Sequence, residues 1–175
     1  MAKAIKRLRD DRGLGLDWWA PRELKNLSVE SIKKLTNIMN RSERVMAPPL
    51  QSLLSLIALI PKPIKGDRPV VLASTWFVLW SALRSPEVDP WEAEFVEHWD
   101  SAIRGSSALR AALRRRLFDE LNYFEGGQSV SFYWDLEKFY DSIDLAKLAD
   151  LAKLANYPMH ILAYDMFFPA GPKSS

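Results

Sequence analysis

The most informative segment of the chain, residues 129–144, begins with a regular alternation of apolar and polar residues. Val130, Phe132 and Trp134 alternate with serine and tyrosine, and the run closes on Asp135. A period of two residues predicts a strand that buries the first set and leaves Asp135 on its polar face. The sequence therefore predicts a strand that ends on an acid and leads into a helix.

A second short pattern predicts a β-hairpin upstream. The apolar run at residues 55–60, bounded by prolines, is typical of a strand, with a helix as the alternative. Residues 64–67 are expected to form a turn, and residues 68–72 the returning strand. Such a hairpin would bring Lys62 and Arg68 near each other.

Apolar positions with a helical period predict helices in much of the remaining chain. Ser28 is a favourable N-cap for a helix to about Arg44, and Asp144 is one for a helix whose leucines we expect in the core. The other predicted helices are residues 3–12, 75–83, a stretch from about Pro90, 105–124 and 158–168. The first is expected to end at Gly13 and Gly15. The second is expected to turn Trp76, Trp80 and Leu83 toward the core. Four-residue spacing within residues 105–124 predicts two ion pairs: Arg115 with Asp119, and Arg116 with Glu120.

Length and composition limit the number of domains and the kinds of metal or disulfide site that the chain can form. A chain of 175 residues with 48% apolar residues suffices for one domain, or for one and a fraction. It contains no cysteine, so we expect no disulfides and no thiolate zinc site. Because His98 and His160 lie far apart in sequence, any bound metal is expected to use carboxylates.

The net charge of +2 is unevenly distributed. Residues 1–75 carry 14 basic and 7 acidic residues, a balance of +7, whereas residues 76–175 carry 10 and 15, a balance of −5. A basic first part favours contact with phosphate, although solvated surface charge is the simpler explanation. The N-terminus lacks the apolar core of a signal peptide, and no apolar run reaches membrane-spanning length, so we expect an intracellular protein without a membrane partner.

Asp135 and Asp141 flank a predicted turn, and two interpretations fit their spacing. Acids at the end of a strand can hold divalent cations beside a triphosphate, because such cations prefer carboxylate oxygens. Alternatively, both acids stabilise the turn, and Asp144 caps the next helix. Spacing alone favours the structural interpretation without excluding the chemical one.

Three short segments resemble motifs of one enzyme family. Residues 135–144, Asp-Leu-Glu-Lys-Phe-Tyr-Asp-Ser-Ile-Asp, resemble the first catalytic motif of reverse transcriptases of the group II intron and non-LTR retrotransposon type. Residues 59–70, with Ile-Pro-Lys-Pro followed by Arg-Pro, are similar to the fingers motif of that family, and residues 103–107 are similar to a looser third motif. The motifs occur in the family's order, and the resemblance covers about residues 50–170.

The resemblance implies a helix-rich α/β protein with the fingers and the first part of the palm of an incomplete right-hand polymerase. It places a fingers-like region at residues 49–124 and the start of the palm at residues 125–175, after an N-terminal helical segment at residues 1–48. The implied reaction is template-directed DNA synthesis from deoxynucleoside triphosphates (dNTPs) by two-metal nucleotidyl transfer. Its implied partners are an RNA template, a DNA primer and dNTPs, and its implied cofactor is Mg²⁺.

The resemblance also implies roles for individual residues. Asp135 would be the catalytic residue and a Mg²⁺ ligand, with the backbone carbonyl of Leu136 as a further metal ligand. Lys62 and Arg68 would bind the triphosphate, and Tyr140 would pack beneath the sugar. Two further residues of the motif are expected to be structural: Phe139 as a core anchor, and Asp141 as an acceptor of backbone hydrogen bonds in the turn.

The family's second catalytic motif, an aromatic residue, a variable residue and two aspartates, does not occur in this sequence. In the family it supplies the remaining carboxylate for the two metal ions. We therefore expect this chain alone to be inactive as a polymerase. Two alternatives stay open: a non-catalytic remnant that binds nucleic acid, and a helical interaction protein whose motif match is fortuitous.

Overall fold

The computed structural model describes residues 1–64, 66–97, 100–103, 105–132, 134 and 142–168. These residues form a helix-rich protein with a two-stranded antiparallel sheet, which confirms the predicted mixed α/β class. The elements in chain order are α1 (Ala2–Arg7), α2 (Pro21–Lys25), α3 (Val29–Arg44), a 3-10 turn (Leu50–Leu53), β1 (Leu56–Pro61), β2 (Asp67–Leu72), α4 (Thr75–Phe95), α5 (Ala108–Phe124), α6 (Leu145–Leu154) and α7 (Met159–Asp165).

The chain divides into two compact units. The first comprises residues 1–89 and 138–175, and the second comprises residues 90–137. The first unit holds α1–α3, the β-hairpin, most of α4, α6 and α7, whereas the second holds the end of α4 and all of α5. Packing alone defines these units, and the division into fingers-like and palm-like regions stays a prediction.

The hydrophobic core of the first unit joins helices from both ends of the chain. Its buried residues come from α1–α4 and α7, with one residue just after α1: Ala4, Ile5, Leu8, Leu24, Met39, Leu79, Trp80, Ile161 and Tyr164. Trp76 and Leu83 pack against this cluster, as the helical pattern of α4 predicted. The Trp80 and Tyr164 rings lie 4.8 Å apart between centroids, so α4 and α7 meet through aromatic packing.

Side-chain caps start three of the helices, as helix physics requires for otherwise unpaired N–H groups. The Ser28 hydroxyl accepts from the Ser31 N–H at 3.1 Å, which confirms the predicted cap of α3. The Asp144 carboxylate accepts from the N–H groups of Ala146 and Lys147, which confirms the cap of α6. Ser107 is the N-cap of helix α5, and its hydroxyl accepts from the Arg110 N–H.

Helix α4 differs from the prediction. A separate helix was expected from about Pro90, but one helix runs continuously from Thr75 to Phe95. A proline inside a helix removes one hydrogen bond and crowds the carbonyl four residues earlier, which is why a break was expected, yet the helix continues through both Pro86 and Pro90. The start of α4 is fixed from elsewhere in the chain, because the Asp17 carboxylate accepts from the Trp76 N–H at 3.2 Å.

The expected burial of the leucines in α6 is wrong. Leu145 and Leu148 are more than a third exposed, and Leu151 and Leu154 are exposed by 63% and 80%. Helix α6 instead turns smaller residues inward, including the half-buried Ala152. The amphipathic pattern predicted the helix correctly but not which surface covers its leucines. Helix α1 is also shorter than expected, since it ends at Arg7.

Candidate functional site

The β-hairpin carries the two basic residues that the sequence singled out. Strands β1 and β2 pair in register from Leu56↔Leu72 to Pro61↔Asp67, which confirms the predicted hairpin to within one residue at each strand boundary. The Lys62 N–H donates to the Gly66 carbonyl at 2.9 Å, so the ladder continues one step beyond the strands. Gly66 has φ +79°, a value that glycine adopts without steric cost, and this closes the turn.

The register places Lys62 and Arg68 on the same face of the hairpin. Arg68 pairs directly with Ile60, and paired residues share a face. Lys62 follows Ile60 by two positions, so the alternation of strand side chains returns it to that face. Diagonal neighbours of this kind have Cα atoms about 7–8 Å apart, within reach of one phosphate chain. Asp67 pairs with Pro61 and belongs to the opposite face.

Both basic side chains are exposed to solvent. Neither Lys62 nor Arg68 forms an ion pair with an acid in the part of the chain that the structure describes. Their apolar neighbours are also open to solvent: Ile60 is 50% exposed and Ile64 is 99% exposed. The hairpin tip is therefore an exposed surface of two cations and apolar side chains.

The base of the hairpin is held by the segment after α1. A Cβ atom on Gly15 would lie 2.6 Å from the Ala73 carbonyl oxygen, so only glycine permits this approach. The Arg12 guanidinium donates to the same carbonyl at 3.2 Å. Burial lowers the pKa of Arg12, and the nearby Asp17 carboxylate opposes that effect. This contact fixes the point where β2 leads into α4.

Sequence reasoning missed Arg12, Gly15 and Asp17, which position the hairpin base and the start of α4. From the sequence, Gly13 and Gly15 predict only the end of a helix. Gly15 provides a close approach to the backbone of Ala73, whereas the nearest neighbour of Gly13 is the side chain of Leu72. A glycine is the available signal for such an approach, but sequence alone does not say which backbone comes close.

Residues 135–141 of the catalytic motif lie outside the described residues. This applies to Asp135, Leu136, Phe139, Tyr140 and Asp141, whose expected roles therefore stay predictions. Arg104 of the looser third motif also lies outside them.

The predicted strand before the motif is wrong for the residues that the structure describes. Residues 129–132 and 134 form no strand, and Val130, Phe132 and Trp134 are 73%, 78% and 89% exposed. Alternating apolar side chains become buried only when the segment pairs with another strand and a further layer covers one face. In the described chain, only β1 and β2 pair. Instead, the Arg115 guanidinium donates to the Ser131 hydroxyl at 2.7 Å, which fastens this segment to α5.

Two predicted ion pairs are present along α5. Arg115 lies 3.4 Å from Asp119 and Arg116 lies 3.0 Å from Glu120, both at four-residue spacing. Each pair joins one arginine of α5 to an acid of the same helix. At exposed positions such pairs contribute little to stability, so their main consequence is local charge neutralisation.

No cluster of three or more His, Asp or Glu side chains capable of holding a metal occurs among the described residues. Asp135 lies outside the described residues, so only the sequence motif supports the expected Mg²⁺ site. The carboxylate-only chemistry of that motif suits a hard cation.

An apolar cavity of about 290 Å³ lies in the first unit. Its lining combines tryptophans and aliphatic residues with a few polar groups, among them Asp17, Thr75 and Trp76. Such a lining is typical of small-molecule sites. However, the Asp17 carboxylate already caps α4, and the Thr75 hydroxyl already donates to the Trp19 carbonyl at 2.7 Å. These bonds serve the fold, whereas the other oxygen of Asp17, Oδ1, is buried without a hydrogen-bond partner among the described residues.

The comparisons with known proteins add no relative: no model of a protein family matches the chain, and no curated protein resembles it significantly. Among the described helices, none combines the length and the hydrophobicity that crossing a bilayer requires. With no cysteine in the chain, disulfides are excluded.

Proposed function

We propose that the chain is a reverse transcriptase-like fragment, with fingers and the first part of a palm, whose hairpin binds the triphosphate of a dNTP. The observation that carries this proposal is the position of Lys62 and Arg68 on one exposed face at the hairpin tip. The sequence motifs supply the polymerase assignment, and the hairpin supplies a surface that fits the same role.

The chemistry of the two side chains suits a phosphate chain. Arginine offers a planar fork of N–H donors that matches phosphate oxygens, and lysine adds a compact charge. Asp67, the acid of strand β2, pairs with Pro61 and therefore belongs to the opposite face. Exposed apolar neighbours such as Ile60 offer further contact area for a nucleotide.

Asp135 is the residue on which catalysis would depend. With the Leu136 carbonyl it would hold Mg²⁺, which neutralises developing phosphate charge and activates the attacking hydroxyl when bound. Tyr140 would pack beneath the sugar, and Phe139 and Asp141 would support the turn. An RNA template and a DNA primer would be the other partners. Because the sequence lacks an aromatic-x-Asp-Asp motif, we expect nucleotide binding without polymerisation from this chain alone.

The test is equilibrium binding of a fluorescent dNTP to the chain and to the double variant Lys62→Ala/Arg68→Ala. The matched control is Arg22→Ala/Lys33→Ala, which removes the same two charges from exposed helix positions. We expect the hairpin variant to lose roughly tenfold or more in affinity, since each charge-assisted contact contributes about 1.5–3 kcal/mol. The control should bind like the wild type.

Equal losses in both variants would show that only net charge matters, and would contradict a hairpin site. Salt-dependent binding of RNA without any binding of dNTP would favour the alternative of a nucleic-acid-binding remnant. Absence of both activities would favour a helical interaction protein.

A further inference from the structure

The cavity of about 290 Å³ in the first unit is lined by residues of α2, α3, the 3-10 turn and the start of α4. Part of its lining is apolar and buried, since Leu24 and Leu79 are each 2% exposed. Another part is open to solvent, because Trp19 and Ile38 are exposed by 47% and 55%. A small molecule can therefore enter from solvent and cover apolar walls, in a volume at the lower end of those known for ligand sites.

Among the described residues that line this cavity, only Asp17 is charged. Its Oδ2 accepts from the Trp76 N–H at 3.2 Å, whereas its Oδ1 is buried without a hydrogen-bond partner in the described chain. The Arg12 guanidinium donates to the Ala73 carbonyl and not to this oxygen. Because a buried carboxylate oxygen without a donor is costly, Oδ1 creates a local preference for a hydrogen-bond donor.

The segment that carries Asp17 is held in a strained conformation. Trp18 has φ +53°, a value that bulky side chains rarely adopt. Its N–H donates to the Gly15 carbonyl at 3.1 Å, and the Trp19 carbonyl accepts from the Thr75 hydroxyl at 2.7 Å. Contacts on both sides of Trp18 thus hold Asp17 and Trp19 against the start of α4. Strain of this kind is concentrated at functional sites such as ligand clamps.

We propose that this cavity binds a small amine with an aromatic or branched aliphatic body. The apolar body would cover Leu24 and Leu79, and the ammonium group would donate to the Asp17 carboxylate. The last torsion of an aspartate side chain is soft, so a modest turn of the carboxylate brings Oδ1 to the ammonium group. Tryptophan is the aromatic side chain that attracts cations best, and both Trp19 and Trp76 belong to the lining.

Other classes of ligand fit this lining less well. An anion would meet the negative charge of Asp17 and no cation among the described lining residues. A purely apolar molecule would cover the walls but leave Oδ1 without a donor. A neutral alcohol would supply a donor without the attraction between opposite charges. The lining therefore favours an amine over an alcohol, and an alcohol over a carboxylate. This proposal is independent of the hairpin and its nucleotide.

The experiment compares three probes that share one apolar body: phenethylamine, phenethyl alcohol and hydrocinnamate. Each probe is titrated into the whole chain at neutral pH, and the NMR signals of Trp19 and Thr75 report on the cavity. We expect phenethylamine to bind at least about tenfold more tightly than hydrocinnamate, with the alcohol between them. Its binding should shift the signals of Trp19 and Thr75 and leave those of the hairpin unchanged.

Two variants separate the contribution of charge from that of shape. Asp17→Asn keeps an oxygen that can cap α4 but removes the charge, so phenethylamine should bind roughly tenfold or more weakly. Its control, Asp150→Asn, removes an exposed acid of α6 and should bind like the wild type. Ile38→Trp adds bulk at the open side of the cavity and should weaken binding of all three probes. Val29→Trp, an exposed position of α3 outside the lining, should not.

Four results would overturn the proposal. The first is equal affinity for phenethylamine and hydrocinnamate, and the second is an unchanged preference for the amine in Asp17→Asn. The third is binding of phenethylamine that Ile38→Trp does not weaken, which would place the amine elsewhere. The fourth is the absence of any binding by the folded chain, which would leave Oδ1 to a bound water molecule. Circular dichroism verifies that each variant keeps its helices, and dNTP binding to the same samples tests the hairpin separately.

Discussion

The Tyr164 hydroxyl lies 2.8 Å from the Ser42 hydroxyl, and this hydrogen bond joins α7 to α3 inside the core of the first unit. Tyr164 is fully buried, and the indole N–H of Trp76 also reaches its hydroxyl at 3.4 Å. A buried hydroxyl needs such partners because its desolvation otherwise costs free energy. The contact therefore ties residues from the two ends of the chain into one core.

Removing the Tyr164 hydroxyl should lower the free energy of unfolding. In Tyr164→Phe, the hydroxyl of Ser42 keeps its bond to the Ala47 carbonyl, but the Trp76 N–H loses its partner. We expect a loss of about 1–2 kcal/mol. Urea denaturation measures it, with Tyr123→Phe as the control because Tyr123 is 77% exposed. Equal stability of the two variants would contradict the buried network.

A side chain at Gly15 should disturb the base of the hairpin. The new Cβ of Gly15→Ala would lie 2.6–2.8 Å from backbone atoms of Ala73 and Ser74, which cannot rotate away. We expect a loss of about 1–3 kcal/mol in unfolding free energy. Gly13→Ala is the control, because its nearest neighbour is the flexible end of Leu72 at 3.0 Å. If Gly13→Ala proved the more damaging, the proposed close approach would be wrong.

Local signals in the sequence were enough to predict the hairpin, the caps at Ser28 and Asp144, and the ion pairs along α5. Each depends on residues close together in the chain, where turn chemistry and helix spacing decide the outcome. The aromatic face of α4 was also predictable, because Trp76 and Leu83 repeat with a helical period.

The surfaces that cover apolar residues were not predictable in the same way. Val130 and Leu154 belong to regular patterns, yet both are exposed, because a pattern states which side is apolar and not what packs on it. The Asp17 cap of α4 was missed for a related reason, since its donor lies 59 residues away. Contacts between residues far apart in sequence can be identified only once the fold is known.

Acid should weaken the contact between Arg84 and Glu87. The hydrogen bond from Arg84, at 2.5 Å, lowers the pKa of Glu87 below its ordinary value of 4.5, burial opposes this, and His160 adds a smaller lowering. A lowered pKa in the folded state stabilises the protein above pH 4.5, and this stabilisation is lost as pH falls through the lowered value.

The corresponding variant is Glu87→Gln. Because the Glu87 side chain is 42% exposed, solvent screening reduces the effect, and we expect Glu87→Gln to lose only about 0.5 kcal/mol near neutral pH. That difference should shrink toward zero as pH falls below 4.5. Denaturation at several pH values measures it, with the exposed Glu94→Gln as control. A difference that grows in acid would have the wrong sign.

Magnesium should strengthen dNTP binding through Asp135. The sequence lacks the second acidic motif, so we expect an increase of only a few-fold. Asp135→Asn should abolish that increase while leaving the metal-free affinity unchanged, because Lys62 and Arg68 remain. Titration of dNTP with and without Mg²⁺ measures both quantities. An equal loss in Asp150→Asn, an exposed acid of α6, would count against a specific role for Asp135.

The central claim is that the hairpin recognises the triphosphate itself. Its most direct test is the ratio of affinities for a dNTP and for the corresponding monophosphate, measured in the wild type and in Lys62→Ala/Arg68→Ala. We predict that the wild type prefers the triphosphate by roughly tenfold or more and that the variant loses this preference. An unchanged ratio in the variant would contradict the assignment of the hairpin as the triphosphate site.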